Sequence, residues 1–78
     1  MSPRQWQSRI QDILDAIAET RAFVEGYDFE RFRKDTKTIK AVGANLMIIG
    51  EAASHIPEDI QTNTAAVPWH LMRAMRNR

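Results

Sequence analysis

The stretch AVGANLMIIGEAA, residues 41–53, decides the fold of this chain. Drawn as a helix, it is apolar almost all round, with Asn45 and Glu51 as its polar members. A helix that is apolar on most sides is buried on most sides. The stretch therefore predicts a long helix, from about Thr36 to His55, that lies at the centre of the fold or in a dimer interface.

Two glycines interrupt the predicted central helix. Gly43 and Gly50 lie seven residues apart and hence on one face. Each costs a helix interior roughly 1 kcal/mol relative to alanine. Close approach of a neighbouring helix would compensate for that cost, but a helix that merely tolerates both glycines fits the sequence equally well.

An amphipathic helix precedes the central one. Ser2 and Pro3 are typical of a helix start and Gly26 of a helix end, so we expect the helix to run to about Glu25. Polar residues form the opposite stripe, as in a helix with one buried face. The apolar stripe consists of Trp6, Ile10, Ile13, Ile17 and Val24.

Shorter helical segments account for the rest of the chain. Asp28 is placed to cap a short turn, and Asp35 to cap the central helix. Pro57 ends the central helix, residues 57–63 can form one more turn, and a last helix opens at Trp69. No segment alternates with the period of two that is typical of strands. The sequence therefore predicts a small all-α bundle.

Composition limits the possible functions. The 78 residues form one domain at most, and a cysteine-free domain of this size often gains stability by self-association. Two histidines without cysteine argue against a structural zinc site. No apolar run reaches the roughly 18 residues that span a bilayer, and the first ten residues do not resemble a signal peptide. We expect a cytoplasmic protein without a metal, a cofactor or a membrane partner.

The net charge of +1 says little about partners, but basic residues cluster in two places. Either cluster could be a solvated helix face or could make weak contact with a nucleic-acid backbone. The first cluster consists of Arg31, Arg33, Lys34, Lys37 and Lys40, and the second of Arg73, Arg76 and Arg78.

Glu51 is the first candidate functional residue, because an ionised carboxylate in an apolar run is costly unless it is paired. It must either touch water at a helix edge or meet a cation, for which His55, Arg73 and Arg76 are the candidates. Arg73 and Arg76 are neighbours on the last helix and could bind a phosphate. Taken alone, the two residues are more typical of ordinary surface arginines than of a phosphate-binding site. Neither His55 nor His70 lies in a pattern typical of nucleophilic catalysis.

Several segments in order resemble one family. These are GYDFERF at residues 26–32, IIGEAA at residues 48–53 and VPWHLMRAMRN at residues 67–77. Together they look like the HepT-like branch of the HEPN superfamily, over residues 1–78 as a single domain. The resemblance implies an all-α, antiparallel helical bundle that forms a homodimer. It also implies a metal-independent endoribonuclease, the toxin of a toxin–antitoxin module. The partner would be an MNT-type nucleotidyltransferase that attaches AMP to a tyrosine of the toxin.

Carried onto this chain, the family's motif places its catalytic arginine at Arg76 and the polar neighbour at Asn77. Glu51, Arg73 and Arg78 would support the site or contact RNA. The motif's histidine and tyrosine would follow Arg78 and are absent from the sequence.

Three hypotheses follow from this pattern. In the first, these residues are a C-terminally incomplete HepT-like domain, and the complete protein is a ribonuclease. In the second, the chain is a non-catalytic dimerisation module that binds a nucleotidyltransferase or a full-length homologue, and it is not an enzyme. The third, a DNA-binding helix-turn-helix protein, lacks a full-length basic recognition helix.

Overall fold

The computed structural model describes residues 5–77, except for the side chain of Asn77. Within that range the chain forms no strand, and the predicted all-α bundle is confirmed. The helices follow in the order α1 (Trp6–Phe23), α2 (Phe29–Arg33), α3 (Thr36–Ala53), α4 (Glu58–Asn63) and α5 (Trp69–Ala74), and a 3₁₀ turn (Met75–Asn77) continues α5.

Both aspartates predicted to cap helices do so. Asp28 accepts a hydrogen bond from the backbone N–H of Arg31 at 2.8 Å and begins α2. Asp35 accepts one from the N–H of Thr38 at 3.0 Å and begins α3. Each carboxylate satisfies an N–H group that has no partner within the helix.

Asp35 also receives two side-chain hydrogen bonds, which make it a pH-sensitive cap. The hydroxyls of Tyr27 and Thr38 both donate to its Oδ2 at 2.7 Å. The hydrogen bond from Tyr27, followed by those from Thr38, lowers the pKa of Asp35 from 3.8 to about 2. The ionised form is therefore favoured by folding, and its contribution to stability is present above pH 3.8 and is lost as pH falls towards 2.

We expect Asp35→Asn to be less stable than the wild type at neutral pH. Asparagine can still cap the helix but does not titrate, so the difference between the two proteins should shrink as pH falls from 4 towards 2. Urea unfolding of both proteins at several pH values measures this difference. A difference that stays constant over that range would show that the charge of Asp35 has no special role.

The ends of the two long helices differ slightly from the predictions. The first helix begins at Trp6, and Ser2 and Pro3 lie outside the described residues. It ends at Phe23, before the predicted Glu25, because a turn leads into Gly26, which has a left-handed φ of 77°. That conformation suits glycine.

The helix α3 ends at Ala53 instead of His55. The backbone N–H groups of Ser54 and His55 bond to the carbonyls of Glu51 and Ala52, three residues back in each case. Such bonds tighten the last turn of a helix.

The helix α3 lies at the centre of the fold, as the sequence predicted, and contacts α1, α2, α5 and the 3₁₀ turn. Its enclosure is incomplete, because Met47 and Ile48 are 56% and 47% exposed. On α1, Ala16 is buried while Ile17 of the predicted stripe is 40% exposed. The buried core consists of Ile13, Ala16, Ile49, Ala52, Ala53, Ile56 and Trp69.

Asn45 is buried in α3, and α1 satisfies its side chain. Its amide nitrogen donates to Glu19 Oε1 at 3.1 Å and to Thr20 Oγ1 at 3.2 Å. Burying an amide without hydrogen bonds is costly, so these two contacts fix how the two long helices face each other.

The two glycines of α3 differ in their surroundings. A Cβ added to Gly50 would lie 2.6 Å from the backbone nitrogen of Arg76 and 3.1 Å from the carbonyl oxygen of Met72. A Cβ added to Gly43 would meet nothing within 4 Å. Close approach of a neighbouring segment is therefore confirmed at Gly50 and wrong at Gly43.

Candidate functional site

The contact at Gly50 positions the candidate site. It lets the 3₁₀ turn after α5 lie directly on the C-terminal half of α3, which brings Arg76 beside Glu51 although the two residues are far apart in sequence. A side chain at residue 50 would hold the two segments apart. The backbone geometry of α3 thus determines where Arg76 can reach.

A cluster of four polar side chains forms at this contact, and we call it the Arg76 cluster. Nη1 of Arg76 donates to Glu51 Oε1 at 3.0 Å and to Ser54 Oγ at 3.1 Å. Nε2 of His55 lies 2.8 Å from Glu51 Oε2. One carboxylate therefore holds a guanidinium with one oxygen and an imidazole with the other.

The Arg76 cluster is open to solvent. The side chains of Arg76, His55 and Glu51 are 43%, 46% and 53% exposed. Exposed ion pairs contribute little to stability because water screens them. The contacts therefore orient the side chains more than they hold the fold together. Both alternatives predicted for Glu51 are met, since it touches water and also pairs with a cation.

Glu51 is ionised at neutral pH. The hydrogen bond with His55, followed by that from Arg76, holds the pKa of Glu51 below its usual value. An ionised carboxylate can only accept hydrogen bonds. Glu51 is thus suited to orient its two partners and unsuited to act as a general acid.

Arg73 and Arg76 do not act as a pair. Arg73 donates to Oε1 of Gln61 on α4 and lines a different groove, together with Trp69 and His70. Because the chain tightens from α5 into a 3₁₀ turn, the two arginines point to different partners. Of the two cations predicted to reach Glu51 from the last helix, only Arg76 does so among the described residues.

Other candidate residues have varied surroundings. The backbone of Asn77 belongs to the 3₁₀ turn, but its side chain and Arg78 lie outside the described part. In the first basic cluster, Arg31 lies over the ring of Tyr27 at 4.0 Å. Arg33 and Lys34 both pair with Glu30, at 2.9 and 3.9 Å, which neutralises part of that cluster's charge.

A groove beside the Arg76 cluster contains a second arginine that the sequence analysis missed. This arginine groove is formed between α1, α3 and the 3₁₀ turn. Within residues 5–77, Nε of Arg9 is the buried side-chain polar atom that has no hydrogen-bond partner. No spacing in the sequence pointed to Arg9, because only the packing of α1 on α3 brings it there. The groove is lined by Arg9, Asp12, Met47, Ile48, Glu51, Ala52 and Arg76.

A second groove, of about 550 Å³, runs between α1, α4 and α5. We call it the apolar groove, since its walls are almost entirely apolar side chains. Leu14 and Ile17 of α1 stand at its edge, 53% and 40% exposed. The principal apolar side chains that line it are Trp6, Ile10, Leu14, Ile17, Ile60 and Met72.

No helix in residues 5–77 is long and apolar enough to cross a membrane. In the same range, no three histidine, aspartate or glutamate side chains lie together as a metal site would need.

Relatives of the chain are known. A protein of Methanocaldococcus jannaschii that carries the name "Putative RNase" is 35% identical over all 78 residues, which cover 64% of its length. "Probable ribonuclease HepT" of Thermococcus cleftensis is 37% identical over 75 residues, which make up 96% of this chain and 68% of the relative. The chain thus spans about two thirds of the length of these relatives. No solved structure matches it.

The family comparison agrees with these relatives. The family model described as "Ribonuclease HepT-like" matches residues 13–78, which include α3, α5 and the whole Arg76 cluster. The resemblance seen in the sequence is therefore confirmed over most of the chain, and the chain belongs to the HepT-like family of the HEPN superfamily.

Proposed function

We propose that the protein acts on RNA, as a HepT-like endoribonuclease whose phosphate-binding group is Arg76. The observation that carries this proposal is the exposed guanidinium of Arg76, held in one orientation by Glu51 and Ser54. Membership of the HepT-like family and the names of the relatives support the choice of RNA.

The chemistry of Arg76 fits a phosphodiester. A guanidinium has five N–H donors, and the contacts with Glu51 and Ser54 use only Nη1. The remaining donors are available for phosphate oxygens, which arginine binds with two parallel hydrogen bonds. When the phosphorus is attacked, negative charge grows on those oxygens, and a positive group already in place stabilises it.

Arg9 extends the site along the arginine groove. The side chain of Arg9 lines the same groove as Arg76, so an RNA backbone crossing the groove would meet both residues. Asp12 also lines the groove and is itself engaged in an interaction. Glu51, which lines the groove as well, forms an ion pair with Arg76. The groove therefore has no strong net charge, and Arg9 and Arg76 would attract a phosphate only over a short distance.

The family resemblance adds finer proposals. In it, a histidine that follows the motif arginine transfers a proton, and a tyrosine receives AMP from an MNT-type nucleotidyltransferase. Only Asn77 and Arg78 follow Arg76 in these 78 residues. We therefore propose the complete motif mechanism for a chain that also carries this histidine and this tyrosine. Such a chain would be a single HepT-like domain that forms a homodimer and acts as the toxin of a toxin–antitoxin module.

We expect Arg76→Gln and Arg9→Gln to weaken binding of single-stranded RNA, each by about tenfold at low salt, because each removes a charged contact with the backbone. Fluorescence anisotropy of a labelled oligonucleotide measures the affinity. For each lost phosphate contact, the slope of log K against log salt should fall by about 0.7.

Arg21→Gln is the matched control for both variants. Arg21 is an exposed arginine at the other end of α1, beside Val24 and Glu25. The substitution removes the same charge from a different surface, so RNA affinity should stay at the wild-type value. Equal losses in all three variants would mean that RNA senses only overall charge, and no loss in any of them would contradict the proposal.

The second candidate function is the non-catalytic interaction module. The apolar groove favours it, and so do Met47 and Ile48, which are exposed on a different groove, because apolar surface patches are typical of protein interfaces. Light scattering of the protein alone and with a nucleotidyltransferase distinguishes the two cases. A monomer mass in both samples would leave these surfaces without a partner and would remove this candidate.

A further inference from the structure

We propose that the exposed face of α3 binds a single RNA strand that extends from Arg76, with Lys37 and Lys40 contacting its phosphates. The inference rests on the proposed action on RNA and adds a second contact to it. The ligand of this face is single-stranded RNA that is long enough to reach from Arg76 to the lysines.

One face of α3 stays uncovered along the length of the helix, although α3 lies at the centre of the fold. Successive residues of a helix turn by about 100°, so six exposed residues of α3 fall within about 60° of Ala44 when the helix is viewed down its axis. We call these six residues the α3 face. They are Lys37, Lys40, Ala44, Met47, Ile48 and Glu51.

The C-terminal half of the α3 face belongs to the arginine groove. Met47, Ile48 and Glu51 line that groove, in which the side chain of Arg76 is 43% exposed. A strand bound at Arg76 therefore lies at the end of the α3 face, and the next cation along that face is Lys40.

The charges of Lys37 and Lys40 are available to a ligand. Within residues 5–77, neither side chain forms an ion pair or a hydrogen bond. In the same basic cluster, by contrast, Arg33 and Lys34 both pair with Glu30. Lysine binds phosphate as a point charge, so the two unpaired ammonium groups suit the backbone of a nucleic acid.

Acidic side chains restrict the path of the strand on one side of the α3 face. Three carboxylates of α1 line a depression against α3, and Ile48 is the residue of the α3 face that borders it. Lys40 and Met47 are seven residues apart and lie on the opposite edge, on the side of Gly50, where the 3₁₀ turn packs. A strand that follows this edge stays away from the carboxylates. These are Asp12, Asp15 and Glu19.

The spacing of the two contacts determines the length of RNA that is needed. Glu51, which holds Arg76, follows Lys40 by eleven residues, or about 16 Å along the axis of α3. A stacked strand advances about 3.4 Å per nucleotide, so about five nucleotides reach from one contact to the other. Met47 and Ile48 lie between the contacts and offer apolar surface to the bases.

The test compares the binding of two lengths of labelled single-stranded RNA by fluorescence anisotropy. A strand of about twelve nucleotides spans both contacts, whereas a trinucleotide reaches only one. We expect Lys37→Gln and Lys40→Gln each to weaken binding of the longer strand by about fivefold at low salt and to lower the slope against log salt by about 0.7. Both should bind the trinucleotide like the wild type. Glutamine has nearly the helix propensity of lysine, so the helix is preserved.

Lys34→Gln is the matched control for the two lysine variants. It removes the same charge from the same basic cluster, at a residue that pairs with Glu30 and lies outside α3. This variant should bind both strands like the wild type. An equal loss in Lys34→Gln would mean that RNA senses only the overall charge of the cluster, which would overturn the inference.

The variant Arg76→Gln separates this inference from the proposed function, since it should weaken binding of both lengths. If it does so while Lys37→Gln and Lys40→Gln bind the longer strand like the wild type, the inference fails and the action on RNA stands. If the wild type binds neither strand, both fail. Wild-type affinity in both lysine variants, together with a dimer mass in light scattering, would assign the α3 face to a second copy of the chain instead of RNA.

Discussion

Replacing Gly50 by leucine is expected to remove most of the protein's free energy of unfolding at room temperature. A Cβ at this position would lie 2.6 Å from the backbone nitrogen and 2.9 Å from the Cβ of Arg76. A backbone atom cannot move aside as the end of a flexible side chain can, so the 3₁₀ turn must leave α3. Overpacking of this kind costs about 3 kcal/mol or more, and a domain of this size rarely has more than about 3–5 kcal/mol of stability.

Gly43 offers the matched control in the same helix. Its added Cβ meets nothing within 4 Å, so Gly43→Ala should stabilise the protein by about 0.5–1 kcal/mol through helix propensity. Gly50→Ala should act in the opposite direction, since a methyl group already overlaps Arg76. Urea unfolding followed by circular dichroism measures both. If both alanine variants were stabilised, the close contact at Gly50 would not exist in solution.

Replacing Trp69 by alanine should destabilise the protein about as much as replacing Gly50 by leucine. Its side chain is 8% exposed in the core, and its indole N–H donates to Thr64 Oγ1 at 3.0 Å. Trp69→Ala removes both the packing and the hydrogen bond and should cost about 3–5 kcal/mol, which is most of the stability of such a domain. The free energy of unfolding from urea titration measures the loss.

Two variants separate the parts of that effect. Trp69→Phe keeps much of the packing and loses the hydrogen bond, so it should cost about 1 kcal/mol from that bond plus a smaller packing term. Leu71→Ala lies in the same helix at a position that is 61% exposed and should change stability by less than about 0.5 kcal/mol. A loss at Leu71 equal to that at Trp69 would mean that α5 packs through a different face.

Features that depend on a few neighbouring residues could be predicted from the sequence. Asp28 and Asp35 cap their helices because each carboxylate reaches an N–H only three residues away. The left-handed Gly26 follows in the same way from its position after an amphipathic helix. The central position of α3 could be predicted because an apolar surface on most sides leaves a helix few other places.

Features that depend on contacts between distant segments could not be predicted. Gly43 and Gly50 are equivalent in the sequence, and only the path of the chain after α5 decides that Gly50 meets another backbone. Arg73 and Arg76 likewise look like neighbours, yet the change from α-helix to 3₁₀ turn sends them to different partners. Each of these outcomes is set by the packing of α5 on α3.

The candidate site was predictable in part for the same reason. Glu51 stood out because it is a carboxylate in an apolar run, and the family resemblance pointed to Arg76. In the sequence, His55 and Arg76 are separate candidate partners of Glu51, and no local pattern shows that both contact it at once. The hydrogen bond between Ser54 and Arg76 depends on where the 3₁₀ turn packs on α3, and no local sequence pattern determines that position.

The central position of α3 has a consequence for how the protein opens. Because its partners cover it from several sides, the amide hydrogens in its buried half can exchange with solvent only when the whole chain unfolds. The short helix α4 is held mainly by the side chains of Ile60 and Gln61, so its amides should exchange through small local openings. Glu51 and His55 therefore lie near the part of the protein whose amide hydrogens exchange most slowly. This part stays folded during the local opening of α4.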